Sequence, residues 1–178
     1  MAYSINPKSY FNTKLYTGNE SAGHSITGVG FQPDFIWFKN RGTTDSHAVY
    51  DAVRGVTKEW NPDTGDGETT QSTGLTSFDS DGFTTGARTL LNSNNQPLAS
   101  WHWKMNGAGS SNSDGSITST VSVNSTAKMS IVRFTGTGSS ATVGHGLGVK
   151  PDYIIVKCMD SGENGMVWSN AMGANQFL

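Results

Sequence analysis

The chain has 178 residues, of which 34% are hydrophobic and only 15% charged, and its net charge is −2. Without a run of Lys or Arg, nucleic acid and a polybasic membrane contact are not expected as partners, and no apolar stretch of about 18 residues could cross a bilayer. The 22 glycines predict short strands joined by tight turns, while 5 Trp, 8 Phe and 5 Tyr argue against disorder.

Strands are predicted along the chain, and no segment has convincing helical periodicity. The turn Asp81-Gly82 is predicted to close a hairpin between Leu75–Phe78 and Phe83–Thr85, because glycine accepts a positive φ at low cost. The other predicted strands, in chain order, are Asp34–Lys39, His47–Val53, Leu98–Met105, Ser116–Asn124, Met129–Thr135, Asp152–Lys157 and Met166–Ala171. Together they predict an all-β fold, an antiparallel β-sandwich or jelly roll.

The predicted strand Leu98–Met105 carries two of the five tryptophans. Alternation places Trp101 and Trp103 on one face with Ala99 and Met105, and Leu98, Ser100, His102 and Lys104 on the other. This arrangement predicts a core role for the tryptophans, and the doubly apolar strand around Trp37 predicts the same for that ring.

An internal repeat is the strongest signal in the sequence. A shift of 118 residues places Thr17-Gly18 on Thr135-Gly136 without a gap. The same shift aligns further pairs: Gly28 with Gly146, Gly30 with Gly148, Pro33-Asp34 with Pro151-Asp152, Ile36 with Ile154, Lys39 with Lys157, Val49 with Val167 and Gly55 with Gly173. A composition rich in Gly and Ser can match single residues by chance, but it rarely keeps so long a pattern in register.

The repeat divides the chain into a first β module, residues 1–125, and the first half of a second, residues 126–178. Leu178 falls on Trp60, halfway through the first module. Three explanations are open: the sequence is a fragment of a longer chain, the half-copy completes the first module as one sandwich, or a partner subunit supplies the missing strands. The last two would cover strand edges that otherwise promote aggregation.

No motif for catalysis, metal binding or a cofactor is present, so we expect no catalytic residue, no metal ligand and no cofactor. The four histidines form no metal-ligand pair, and the acidic segments 63–68 and 79–82 lack the spacing of a calcium loop. The sole cysteine, Cys158, is predicted to be a small buried or edge residue. Neither a nucleophile motif nor a phosphate-binding glycine loop is complete. Paired carboxylates that meet only in space stay possible.

Trp60 is the one candidate ligand-binding residue. It lies in the polar segment Lys58-Glu59-Trp60-Asn61-Pro62, and it is therefore the tryptophan expected to be most exposed. An exposed ring of this kind can stack on a sugar, although packing or a subunit contact is the favoured explanation.

Several segments resemble a domain family found in virion proteins of tailed phages, especially marine ones, often labelled tail-fibre or appendage proteins. The resemblance rests on Asn12–Gly18, Ile26–Arg41, Leu75–Phe83 and Ala99–Lys104, and it covers most of the chain. It implies a structural place on the virion and no catalytic residues.

Three functions follow from these observations. The first is a non-enzymatic virion structural protein (a tail fibre, an appendage or a head decoration), assembled in the host cytoplasm as a homo-oligomer with other virion proteins and involved in host attachment. The second is a carbohydrate-binding module or glycan-binding receptor tip, with a host-surface glycan as partner. The third is a glycan depolymerase, which requires two facing carboxylates in a cleft.

Overall fold

The computed structural model describes residues 6–173 and 176. Strands make up about 40% of the chain and helical turns 6%, so the prediction of an all-β protein is confirmed. The strands of the described residues are β1 (Phe11–Thr17), β2 (His24–Thr27), β3 (Phe35–Asn40), β4 (Ala48–Asp51), β5 (Lys58–Glu59), β6 (Thr69–Thr70), β7 (Leu75–Asp79), β8 (Gly82–Thr85), β9 (Pro97–Trp103), β10 (Ser110–Asn112), β11 (Ser119–Asn124), β12 (Met129–Phe134), β13 (Tyr153–Val156) and β14 (Met166–Ser169). Helical turns occupy Pro7–Ser9, Thr89–Asn92 and Asn170–Met172.

Two antiparallel sheets form a sandwich in the first part of the chain. One sheet has the strand order β1-β9-β3-β4 and the other has β2-β8-β7. Phe38 of the first sheet meets Phe83 of the second edge to face, with ring centroids 5.2 Å apart. The buried cluster between the sheets contains Ile26, Ile36, Phe38, Ala48, Tyr50, Leu75, Phe83 and Leu91. Burying these apolar side chains is the main stabilising term of the fold.

The orientation of β9 differs from the prediction. Leu98, Ser100 and His102 have no exposed surface, so the core-facing side of this strand is the one that looks more polar in the sequence. Trp101 and Trp103 are half-buried on the opposite face. The His102 ring packs against Phe83 of the second sheet, with ring centroids 5.3 Å apart, and the alternation of the strand places the two indoles on the outer face.

The predicted hairpin at Asp81-Gly82 is present and joins β7 to β8. Gly82 begins β8 with a φ of 151°. A Cβ at this position would collide with the carbonyl oxygen of Ile26 on the neighbouring strand β2. Glycine is therefore required by the turn and by the close approach of the two backbones.

The second part of the chain contains the sheet β10-β11-β12 and the two-stranded ribbon formed by β13 and β14, hereafter the ribbon. The ribbon has the same pairing register as β3 and β4, displaced by 118 residues. The equivalent pairs are Phe35–Asp51 with Tyr153–Ser169, Ile36–Tyr50 with Ile154–Trp168, Trp37–Val49 with Ile155–Val167 and Phe38–Ala48 with Val156–Met166.

Hydrogen bonds outside the ladders follow the same shift. The N–H of Ala52 donates to Asp34 O at 2.8 Å, and the N–H of Asn170 donates to Asp152 O at 2.9 Å. In both hairpins the lysine at the end of the first strand also donates from Nζ to a carbonyl in the connecting loop: the pairs are Lys39 with Asp45 and Lys157 with Glu163. The aligned segments therefore have like backbones as well as like sequences.

Candidate docking site

Trp60, the candidate ligand-binding residue, is only 8% exposed, so the expectation of an exposed ring is wrong. Its backbone extends the first sheet: the N–H of Val49 donates to Trp60 O at 2.8 Å, and the N–H of Trp60 donates to Val49 O at 3.1 Å. This exchange of hydrogen bonds holds Trp60 against β4. Its polar neighbour Glu59 is buried as well, and Lys58 and Asn61 are half-buried.

Five aromatic side chains lie together on the outer face of the first sheet. We call Phe11, Phe35, Trp37, Trp101 and Trp103 the aromatic face; all five are half-buried. The Trp103 ring centroid lies 4.9 Å from that of Phe11 and 5.3 Å from that of Phe35. Trp37 and Trp101 lie opposite each other on adjacent strands. These rings pack on one another and also offer flat apolar surface to solvent.

A charged cluster lies within the sandwich. Glu59 has no exposed surface, and it accepts from Arg88 Nε at 2.6 Å, Arg88 Nη2 at 2.5 Å and the Tyr50 hydroxyl at 2.6 Å. Burial, together with the Glu59 carboxylate, raises the pKa of Tyr50. Because the buried Glu59 carboxylate is paired with Arg88 and Tyr50, the cluster acts as a structural cross-link between β5 and the residue that precedes the short helix after β8. Sequence reasoning missed it, since the residues meet only in space.

The two hairpins of the repeat differ in what covers them. β3 lies between β4 and β9, and the second sheet packs on its inner face. β13 pairs with β14 alone among the described residues, and Tyr153, Ile154, Ile155 and Val156 are 60%, 39%, 48% and 46% exposed. An apolar strand exposed on both faces and along one edge is a template for pairing with another chain.

The aspartates that immediately precede β3 and β13 also differ in how far they are covered. Asp34 is 2% exposed, and its Oδ2 accepts from the N–H of Met105, just after β9, at 2.7 Å. Its equivalent Asp152 is exposed. In the first module β9 therefore lies beside β3, and Met105, just after β9, donates to the Asp34 carboxylate. In the ribbon the equivalent carboxylate of Asp152 is open to solvent.

Other candidate chemistry is sparse within residues 6–173. No group of three or more His, Cys, Asp and Glu residues could hold a metal ion there, and no helix is long and apolar enough to span a membrane. Cys158 is exposed rather than buried. The Ser161 hydroxyl donates to Cys158 Sγ at 3.3 Å and lowers the pKa of the thiol.

These features define an all-β sandwich protein that carries one covered and one open copy of the same hairpin. The family model of a domain of unknown function, DUF7483, matches residues 6–178, and the chain belongs to this family. No curated protein and no solved structure matches the chain. Because the family description names no activity, the function has to be argued from the geometry.

Proposed function

We propose that this chain is a non-enzymatic structural subunit of a larger assembly and that its ribbon contacts another copy of the chain. The observation that carries the proposal is the contrast between the two hairpins. Ile36 and Phe38 have no exposed surface, whereas their equivalents Ile154 and Val156 are 39% and 46% exposed. The same pairing that is covered in the first module is open to solvent in the ribbon.

Covering the ribbon would be strongly favourable. A fully buried apolar side chain contributes about 1.5–3 kcal/mol, and the ribbon presents several at once. The free edge of β13 can pair antiparallel with β13 of a second copy. Such a pair has two-fold symmetry, so both subunits would use the same surface in a closed dimer.

The virion setting rests on the sequence resemblance to tail-fibre and appendage proteins. In this setting the first module, residues 1–125, is the rigid body of the subunit, and the half-copy, residues 126–178, joins it to its neighbours. Other virion proteins would be further partners. Tandem β modules suit this role because they hold a fixed spacing without needing a reactive site.

The test of self-assembly is a measurement of mass against protein concentration by sedimentation velocity. We expect the unmodified chain to pass from monomer to dimer as its concentration rises. Ile155→Asp should abolish the dimer, because burying an unpaired charge in the contact is costly. The matched control is Leu15→Asp, since Leu15 is 69% exposed but lies outside the ribbon.

A chain that stays monomeric at every concentration would contradict the proposal, as would an Ile155→Asp variant that associates like the unmodified chain. Circular dichroism should show the same strand content in all three proteins, since both substituted side chains are exposed.

The aromatic face favours carbohydrate binding as a second candidate function. Half-exposed indoles next to one another on a flat sheet can stack on sugar rings. On a glycan array, we expect Trp101→Ala to lose any signal that the unmodified chain gives. Trp168→Ala, which alters the ribbon instead, should keep it. An unmodified chain that binds no glycan would argue against this candidate.

A further inference from the structure

Two loops of the chain share a Gly-x-Gly sequence and one conformation. Gly28 and Gly30 have φ angles of 78° and 90°, and the aligned Gly146 and Gly148 have 69° and 67°. The residue between each pair points inward: Val29 has no exposed surface, and Leu147 is 8% exposed. Two left-handed glycines around a buried residue turn successive N–H groups toward one side, which makes an anion-binding concavity.

The first loop holds a carboxylate. Asp81, in the turn between β7 and β8, accepts from the N–H of Gly28 at 3.0 Å through Oδ2 and from the N–H of Gly30 at 2.5 Å through Oδ1. Its backbone carbonyl accepts from the N–H of Val29 at 3.2 Å. Each carboxylate oxygen is thus matched to one glycine amide.

The second loop has the equivalent backbone amides, those of Gly146 and Gly148, beside a surface cleft. Within residues 6–173, no group accepts from the N–H of Gly146 or Gly148, and the N–H of Leu147 donates to His145 Nδ1 at 3.1 Å. The loop lines a surface cleft of about 530 Å³.

Two charged side chains also line this cleft, Lys150 and Asp114. Asp114 accepts from the side-chain amide of Asn112 at 3.2 Å, which satisfies part of its carboxylate. Lys150 lies two residues after the loop and brings a positive charge to the cleft, where its Nζ donates to Asn170 Oδ1 at 2.9 Å. The first loop has Gln32 at the aligned position, and its nearby cation is Lys14 instead, whose Nζ approaches Gly28, so each loop has a lysine close to it.

We infer that the loop Gly146-Leu147-Gly148 is a carboxylate-binding site. The ligand class follows from the first loop, where the same backbone holds a carboxylate with one oxygen on each glycine amide. Such a group can come from an acidic side chain of a protein that covers the ribbon or from a free carboxylate, such as that of an acidic sugar. The inference needs no self-association, because it rests on the loop alone.

The experiment is an amide NMR titration of the ¹⁵N-labelled full chain at constant ionic strength. One arm adds sodium acetate in place of sodium chloride. The other adds a peptide with the sequence of residues 75–85, which contains Asp81, beside the same peptide with Asp81→Asn. We expect the amide signals of Gly146 and Gly148 to shift and saturate with acetate, with the Asp81 peptide, or with both.

The two arms distinguish the sources of the carboxylate. Saturation with acetate identifies a site open to free carboxylates, whereas saturation with the Asp81 peptide alone identifies an acidic turn of a protein. Chloride should leave both glycine signals in place. Lys150→Gln should weaken binding by roughly threefold, the effect of one exposed charge pair.

The first loop supplies the internal control. In the unmodified chain the Gly28 and Gly30 signals should not respond, because Asp81 occupies their amides. In an Asp81→Ala variant they should respond to acetate. If the Gly146 and Gly148 signals are unmoved by acetate and peptide, or move equally with chloride, the inference is wrong. Either result leaves the self-assembly proposal intact, since self-assembly is tested separately by the dependence of mass on protein concentration.

Discussion

His102 is a buried histidine whose titration should affect the stability of the fold. It has no exposed surface, its Nδ1 contacts the carbonyl of Asn12 at 3.1 Å, and its Nε2 has no hydrogen-bond partner among the described residues. Burial lowers the pKa of His102 to about 4. The neutral ring is therefore the form that the folded chain accepts.

Stability should consequently fall as the solution becomes acidic. The unfolded chain binds a proton at His102 below pH about 6.5, but the folded chain resists it down to pH about 4. The stability that comes from keeping His102 neutral is thus fully present above pH about 6.5. It is lost as the pH falls from about 6.5 to about 4, which lowers the free energy of unfolding by about 3 kcal/mol in total. The loss is measured as the difference between the free energies of unfolding obtained with denaturant at pH 7 and at pH 4.5.

His102→Phe provides the comparison, because an aromatic ring still fills the space against Phe83. We expect the variant to lose less stability between pH 7 and pH 4.5 than the unmodified chain. Carboxylates titrate in both proteins, so the difference between the two proteins in how much stability they lose between pH 7 and pH 4.5 isolates the effect of His102. Equal losses of stability in the two proteins would show that this histidine does not control the fall in stability at low pH.

The exposure of single side chains was the least predictable property from sequence. Trp60 sits among polar residues, and a two-residue strand gives no alternation from which burial can be inferred. Its burial depends on the bridge to Val49, a contact between residues 11 positions apart. The Glu59–Arg88 pair likewise forms only when separate parts of the chain meet.

At the scale of elements, the predicted strands were largely recovered, because alternation and turn residues act locally. The hairpin of β7 and β8 and the strand β11 are clear examples. The alternation of β9 was correct, but the inward face was chosen wrongly. Alternation separates two faces and does not say which one meets the core. That choice depends on contacts across the sandwich, such as the packing of His102 against Phe83 of the other sheet.

The candidate site was only partly visible in the sequence. The repeat aligns Asp152–Lys157 with Asp34–Lys39, and because both segments are apolar on both faces, the sequence predicts two central strands covered on both sides. β3 is flanked by β4 and β9 and buried on its inner face, but its outer face is only half-buried, and both faces of β13 are exposed. Sequence similarity specifies the pairing within each hairpin, whereas coverage depends on β9 and the second sheet, which the half-copy lacks among the described residues.

For the molecule as a whole, the two copies should differ in stability although they share one backbone pattern. Opening β3 and β4 exposes Ile36, Phe38 and Tyr50, which have no exposed surface in the folded chain. Opening the ribbon exposes less new apolar surface, because the side chains of β13 are already 39–60% exposed. Local opening costs less where few apolar contacts are broken, so hydrogen exchange should report the difference.

We expect amides of the ribbon to exchange faster than the aligned amides of β3 and β4 by roughly two orders of magnitude or more. The measurement is native-state hydrogen exchange at a concentration where the chain is monomeric, repeated where it is dimeric. Protection of the ribbon should rise on dimerisation and should not rise in Ile155→Asp. Equal protection of the two hairpins in the monomer would mean that the exposed apolar surface of the ribbon does not limit its stability, and the reason for expecting a covering subunit would disappear with it.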